Sequence, residues 1–196
     1  MIERLQELDR WLLVAANSSA TPALDRFMIF MSDRFVWFPA YLVMVIALAY
    51  YFGRRAYLII PLLGLCVALA DSISSRFFKP FFARLRPCHD PDLSETLNLV
   101  NGCGGKFGFI SSHAANAFSL AVFLCLVLPR RFWPVKTLVL VWAALVSYSR
   151  IYLAAHYTSD VLAGTTLGAL LAWFCYWLYR RGEARWWPGH QVTGDR

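Results

Sequence analysis

Charge is scarce in this chain. Asp, Glu, Lys and Arg together make up 16% of its 196 residues, against about 25% in a soluble globular domain. That shortage excludes a molecule whose surface lies mostly in water. Hydrophobic residues stand in its place at 59%, above the roughly 45–50% of soluble domains, so a bilayer is the solvent this composition suits. The net charge of +7 does not point to nucleic acid, because the basic residues sit at the ends of apolar runs, as in membrane proteins. Internal repeats and low-complexity segments are lacking. No cleavable signal peptide is expected either: the apolar run 12–16 is short and follows acidic residues. His89, Asp90 and Asp92 do not form a coherent metal-ligand set, and His190 falls in a polar tail. Cys66, Cys125 and Cys175 lie within apolar runs and read as packing residues.

Five apolar runs remain, near 35–52, 56–77, 112–128, 135–153 and 160–179. Each has the length that a helix crossing the hydrocarbon core needs, about 17–25 residues. Helices satisfy their own backbone hydrogen bonds there. The first 34 residues differ. Leu5, Leu8, Leu12 and Leu13 follow helical spacing with Glu3, Arg4, Glu7 and Arg10 between them, and 17–22 breaks the pattern. This reads as an interfacial amphipathic helix, the alternative being a sixth span. The expected fold is therefore all-α, an integral membrane bundle of about five spans. Residues 1–34 form its interfacial segment, 35–179 the transmembrane core and 180–196 a cytoplasmic tail, all in one domain. Gly164 and Gly168 suit close helix packing. Trp186 and Trp187 suit an interfacial belt.

Arg54, Arg55, Arg130, Arg131, Lys136, Arg180, Arg181 and Arg185 all fall on one face if the spans alternate. The positive-inside rule makes that face cytoplasmic. The long polar loop 79–108 then faces the periplasm or exterior, in the manner of a bacterial inner-membrane protein. Arg76, Lys79, Arg84, Arg86 and Lys106 lie on the opposite face and need another explanation. On an oxidising face Cys88 and Cys103, which bracket the loop, would pair; two free thiols are the alternative.

Three clusters meet at that outer face: Lys79 to Pro87; Ser111, Ser112 and His113; and Ser149, Arg150, His156 and Asp160. They suit phosphoryl transfer. Lys79, Arg86 and Arg150 supply cations for phosphate oxygens. Ser111 adds a hydroxyl, and the start of the third span offers free backbone N–H groups. A neutral imidazole can attack phosphorus and form a phosphohistidine. A second can protonate the leaving oxygen and then activate water. Asp160, four residues after His156, can hold one ring nitrogen as N–H. Asp71 lies on the face of Ser75 and Lys79, and Asn116 one turn after His113. Both read as supports of the site or as plain interhelical partners.

These clusters resemble the type 2 phosphatidic acid phosphatase superfamily, which also includes vanadium-dependent haloperoxidases. Its pattern is Lys, six residues, Arg-Pro; Pro-Ser-Gly-His; then Ser-Arg, five residues, His, three residues, Asp. Lys79, Arg86 and Pro87 match the first part. Ser111 and His113 match the second, with Ile110 in place of proline and Ser112 in place of glycine. Ser149, Arg150, His156 and Asp160 match the third completely. The resemblance implies His156 as nucleophile, His113 as general acid and Asp160 as orienting carboxylate. It also implies phosphate binding by Lys79, Arg86, Ser111, Ser112 and Arg150, with no metal and no cofactor.

The expected activity is a lipid phosphate or pyrophosphate phosphatase in the bilayer, with undecaprenyl pyrophosphate as leading substrate. Phosphatidylglycerophosphate, phosphatidate and lipid A are the other candidates. A phosphotransferase of the same fold and a non-catalytic transporter or anion-binding protein are the competing readings. Oligomeric state is not legible.

Overall fold

The computed structural model describes residues 2–187. His190 and the rest of 188–196 lie outside the described residues. Among those described, the regular structure is helical apart from a single bridge between Leu85 and Phe107. The elements are α1 (Ile2–Asn17), α2 (Pro22–Ser32), α3 (Phe38–Phe52), α4 (Ala56–Ser72), α5 (Lys79–Phe82), α6 (Ser112–Val127), α7 (Trp133–Tyr152) and α8 (Thr158–Trp186).

Among the described residues, three helical stretches are long and apolar enough to cross a membrane: Phe38–Phe82, Arg130–Tyr152 and Thr158–Trp186. The first is two helices in a hairpin. At Gly53 the backbone takes φ +52°, a conformation open to glycine at little cost, and the chain turns back. Leu48 of α3 then packs in one cluster with Ile59, Leu63 and Cys66 of α4. With the shorter apolar α6, five apolar helices result, as expected.

The bundle is centred on α6 and α8. Gly164 and Gly168 explain why these two helices lie so close. A Cβ on Gly164 would collide with the Ser111 carbonyl oxygen. One on Gly168 would collide with that of Ala115 and lie 2.9 Å from the Ser119 nitrogen. Around this contact Phe123, Leu124, Ala172 and Cys175 form the apolar core with α4.

Two element boundaries differ from the sequence reading. The second span does not stop at 77. It passes through a π-helical turn, Ile73–Phe78, into α5. The last helix also runs beyond 179, so the segment expected as a tail begins as helix. Buried Glu183 holds it there, accepting a 2.8 Å bond from Tyr179 and pairing with Arg55 at 3.5 Å. Arg131 bonds Tyr51 at this same end, so the basic turns after α3, after α6 and along the end of α8 do share one face.

The N-terminal segment is helical, and of its spaced leucines Leu13 alone is buried against the protein. Leu5, Leu8 and Trp11 are exposed, whereas Asp9, Leu13 and Asn17 are buried. These three recur every four residues and so share one stripe. Polar anchors hold the stripe in place. Asn17 donates to the carbonyls of Tyr152 (2.8 Å) and Asn98 (3.0 Å) and accepts from the Asn98 N–H. The exposed apolar face remains free for the bilayer interface. Helix α2 lies against α7, with Asp25 accepting a 2.6 Å bond from the Tyr152 hydroxyl.

Candidate active site

All three sequence clusters come to the end of the bundle opposite the basic turns. The end of α7 builds the first wall. Ala154 turns the chain at φ +53°, and the next two N–H groups, Ala155 and His156, both donate to the Arg150 carbonyl at 3.0 and 3.1 Å. Arg150 and His156 are thus fixed to each other through the backbone. The Arg150 guanidinium donates to Ser32 of α2, and its Nε has no partner among the described residues.

Helix α8 begins just after. Asp160 accepts the Tyr157 N–H at 3.1 Å through Oδ2, closing its first turn. The same oxygen lies 3.6 Å from His156 Nδ1. Both side chains are sealed, at 1% exposure for His156 and 0% for Asp160. The Asp160 carbonyl also accepts from the Ser111 N–H at 3.0 Å, which ties the start of α8 to that of α6.

At the start of α6, Ser111 is the N-cap. Its hydroxyl accepts from Ala114 N at 3.4 Å and is fully buried. Ser112, which stands where the family pattern has glycine, is the first residue of the helix. It is not among the positive-φ residues, so serine bears no backbone penalty there. Its hydroxyl accepts a 2.9 Å bond from Lys79 Nζ.

The long loop supplies the remaining wall. Cys88 and Cys103 form a disulfide, with Cα atoms 5.8 Å apart. The residues beyond it return to pair with 84–86: Arg86 N donates to Lys106 O, Gly108 N to Arg84 O, and Arg86 Nε to Phe107 O at 3.2 Å. Gly108 is wedged in this layer. A Cβ there would come within 3.1 Å of Asp160 Oδ2 and 3.2 Å of Arg86 Cγ. The residues that suggested a metal are otherwise engaged. His89 meets the Gly104 carbonyl, while Asp90 takes Arg10 and the Tyr157 hydroxyl.

His156 stays neutral. Burial pushes its imidazole well below the usual range, and the Arg86, Arg150 and Lys79 cations push it further the same way. His113 lies within electrostatic reach of His156 and of the same three cations. A cavity of about 300 Å³ is lined by His113 and Arg150 together with Ser32, Asp33, Arg34 and Asn101. Two imidazoles and three cations in one neighbourhood, two of these five side chains on the cavity wall, are suited to receive a phosphate group.

The motif residues Lys79, Arg86, Ser111, Ser112, His113, Arg150, His156 and Asp160 therefore gather at one end of the bundle. Asp71 and Asn116 take the second of the two places expected for them, as interhelical partners of each other. Asn116 donates to Asp71 at 3.2 Å, and the Lys79 ammonium bonds Ser112. The π turn between them is the reason, since its wider winding moves Lys79 off the four-residue ladder from Asp71. Sequence reasoning missed Ser32, Asp9 and the role of Arg84. Arg84 donates to Asp160 and to Asp9, each at 2.8 Å, and to Ser159 at 2.6 Å. A buried acid on the wet side of an amphipathic helix was the only available signal for Asp9.

The sequence profile of the PAP2 superfamily matches residues 60–183. The chain belongs to the PAP2 superfamily. Its PAP2 relatives include a lipid A 4'-phosphatase of Porphyromonas gingivalis, 36% identical over 193 residues, which cover 94% of this chain and 78% of that protein. A lipid A 4'-phosphatase of Bacteroides thetaiotaomicron is 34% identical over 188 residues, covering 94% and 83%. Among solved structures, the transmembrane PAP2-type phosphatidylglycerolphosphate phosphatase of Bacillus subtilis superposes with a TM-score of 0.65 at 25% identity, covering 91% of this chain and 87% of that one. The PAP2 protein described here is accordingly an integral membrane phosphatase acting on a membrane lipid.

Proposed function

We propose that this PAP2 phosphatase removes a phosphate monoester from a lipid A-type glycolipid through a phosphohistidine on His156. The observation that carries the chemistry is the buried, neutral His156, beside Asp160 and within electrostatic reach of Lys79, Arg86, Arg150 and His113. The substrate reading is supported by the relatives that match nearly the whole chain, which are lipid A 4'-phosphatases. It displaces the polyprenyl diphosphate first expected from the compact size.

A ring nitrogen of His156 bonds to phosphorus as the phosphorus–oxygen bond to the sugar breaks. His113 gives its proton to the departing oxygen. Water then attacks phosphorus, returning a proton to His113, and the phosphorus–nitrogen bond breaks to release phosphate. Lys79, Arg86 and Arg150 neutralise the equatorial oxygens, with the N-terminal end of α6 beside them. Asp160 orients His156 and stabilises its developing charge. With the polar loop on the side opposite the basic turns, the site opens on the periplasmic or outer face of a bacterial inner membrane.

Phosphate release from purified protein in detergent tests this, with lipid A, undecaprenyl diphosphate and phosphatidylglycerophosphate offered separately and without an acceptor. Lipid A should give the highest kcat/KM. Preference for either other lipid would overturn the substrate, and release only on adding an acceptor lipid would make the enzyme a transferase. Unchanged turnover in a folded His156→Ala variant would remove the nucleophile.

A further inference from the structure

Helix α1 lies outside the residues that match the PAP2 profile, yet it places a carboxylate against the catalytic end. Asp9 is buried at 6% exposure. Its Oδ1 accepts from the Ser159 N–H at 2.8 Å, and its Oδ2 accepts from Arg84 Nη2 at 2.8 Å and from the Ser159 hydroxyl. The other terminal nitrogen of Arg84 donates to Asp160 Oδ1 at 2.8 Å. One guanidinium thus bridges two buried carboxylates, and it is further fixed by lying 4.1 Å over the Tyr157 ring. The second oxygen of Asp160 is the one that faces His156.

We infer that Asp9 is a positioning residue of the reaction, which acts through Arg84 to hold Asp160 in register with His156. Two effects follow from the geometry. The first is steric. Arg84 is a long side chain; Asp160, Ser159 and the Tyr157 ring hold one side of its guanidinium, and without Asp9 on Nη2 it would be free to tilt and carry Asp160 with it. The second is electrostatic. Arg84 is a fourth cation beside a phosphate site that already has three, and Asp9 offsets its charge. With Asp9 present, Arg84 serves Asp160 and does not compete for the substrate. The inference rests on the reading of His156 as nucleophile, and it makes the N-terminal helix part of the active site.

The test compares Asp9→Asn, Asp9→Glu and His156→Ala in the full chain, with turnover normalised to monodisperse protein. Asp9→Asn keeps the size of the side chain and removes its charge. It should lower kcat about 10–100-fold, the scale of a small misplacement of reacting groups. The unbalanced Arg84 adds to Lys79, Arg86 and Arg150 around His156, with Asp160 as the opposing charge. Protonating His156 then becomes harder, and the acid limb of kcat/KM should move to lower pH. Asp9→Glu should restore most of the rate. A residue that only supports packing would lower the yield or melting temperature and leave the limb in place. An unmoved limb, or an unchanged kcat per folded enzyme, overturns the inference. Should Asp9→Asn not fold, Asp9→Ser is read by the same two criteria. Failure of the underlying reading is separate, because it would show as activity in His156→Ala.

Discussion

The Lys79 ammonium donates a 2.9 Å hydrogen bond to the hydroxyl of Ser112, 33 residues away in sequence. It joins the end of the second span to the start of the third at one of the two residues, Ile110 and Ser112, where this chain departs from the family pattern. The serine supplies Lys79 with a fixed acceptor that glycine lacks. Ser112→Gly should therefore raise KM about 3–10-fold, the scale of one hydrogen bond to a charged group, with kcat little changed. Steady-state kinetics on the preferred lipid would check this.

The two imidazoles and the carboxylate should separate in kinetics. His156→Ala should lower turnover by on the order of 10⁴-fold or more. Asp160→Asn keeps the shape but loses the charge opposite His156, and a fall of about 10²–10⁴-fold is expected. His113→Ala should fall within about 10²–10⁴-fold, least for a substrate whose leaving group needs no proton. A p-nitrophenyl phosphate assay beside the lipid assay would reveal that difference.

The pH dependence has a definite sign. On the proposed mechanism His156 must be neutral to attack, and burial with three nearby cations keeps it neutral well below the usual imidazole range. Activity should persist below about pH 6.5, the ordinary value, and fall only as pH drops through the depressed value. A bound phosphate offsets the cations, so the acid limb of kcat should lie at higher pH than that of kcat/KM. Lys79→Met removes one cation and should move the kcat/KM limb upward. Stability follows the same linkage. The unfolded chain binds the His156 proton below about pH 6.5 and the folded chain does not, so this contribution is present above that pH and lost as pH falls.

At the contact of α6 with α8, Gly168→Ala would drive a methyl group into the Ala115 carbonyl and the Ser119 nitrogen. Overpacking of this kind costs about 1–3 kcal/mol. Because α6 carries His113 and α8 carries Asp160, the forced separation should lower kcat as well as the melting temperature. Thermal unfolding by intrinsic fluorescence, paired with kinetics, would measure both.

Removing the Cys88–Cys103 bridge by Cys88→Ser releases a loop of 15 residues. In the chain-entropy model that costs about 3 kcal/mol. Gly104, the residue that follows the bridge, has its backbone close to Arg86, with a Cβ placed there 3.0 Å from Nη1. A rise in KM should accompany the loss of thermal stability, and reduction of the parent enzyme should reproduce both.

Much of this was legible in the sequence because the bilayer imposes simple rules. Five apolar runs with basic ends fixed the spans, and alternation of spans brought Lys79, His113, Arg150 and His156 to one face. The pairing of Asp71 with Asn116 was not legible, because it depends on a π turn that no residue between 73 and 78 announces. Asp9 was hidden for a different reason. A carboxylate on a surface helix reads as solvated unless its partner, here Arg84 some 75 residues on, is known to lie opposite. The leucine spacing of α1 pointed to the lipid side, and its functional side was the sparse polar one.

His156 is sealed by protein, whereas His113 and Arg150 line an open cavity. On the proposed mechanism the dephosphorylated sugar must vacate that cavity before a water molecule can take its place at phosphorus. Hydrolysis is then a matter of queueing. A short-chain alcohol small enough to enter behind the departing lipid would share the phosphoryl group with water in proportion to its concentration.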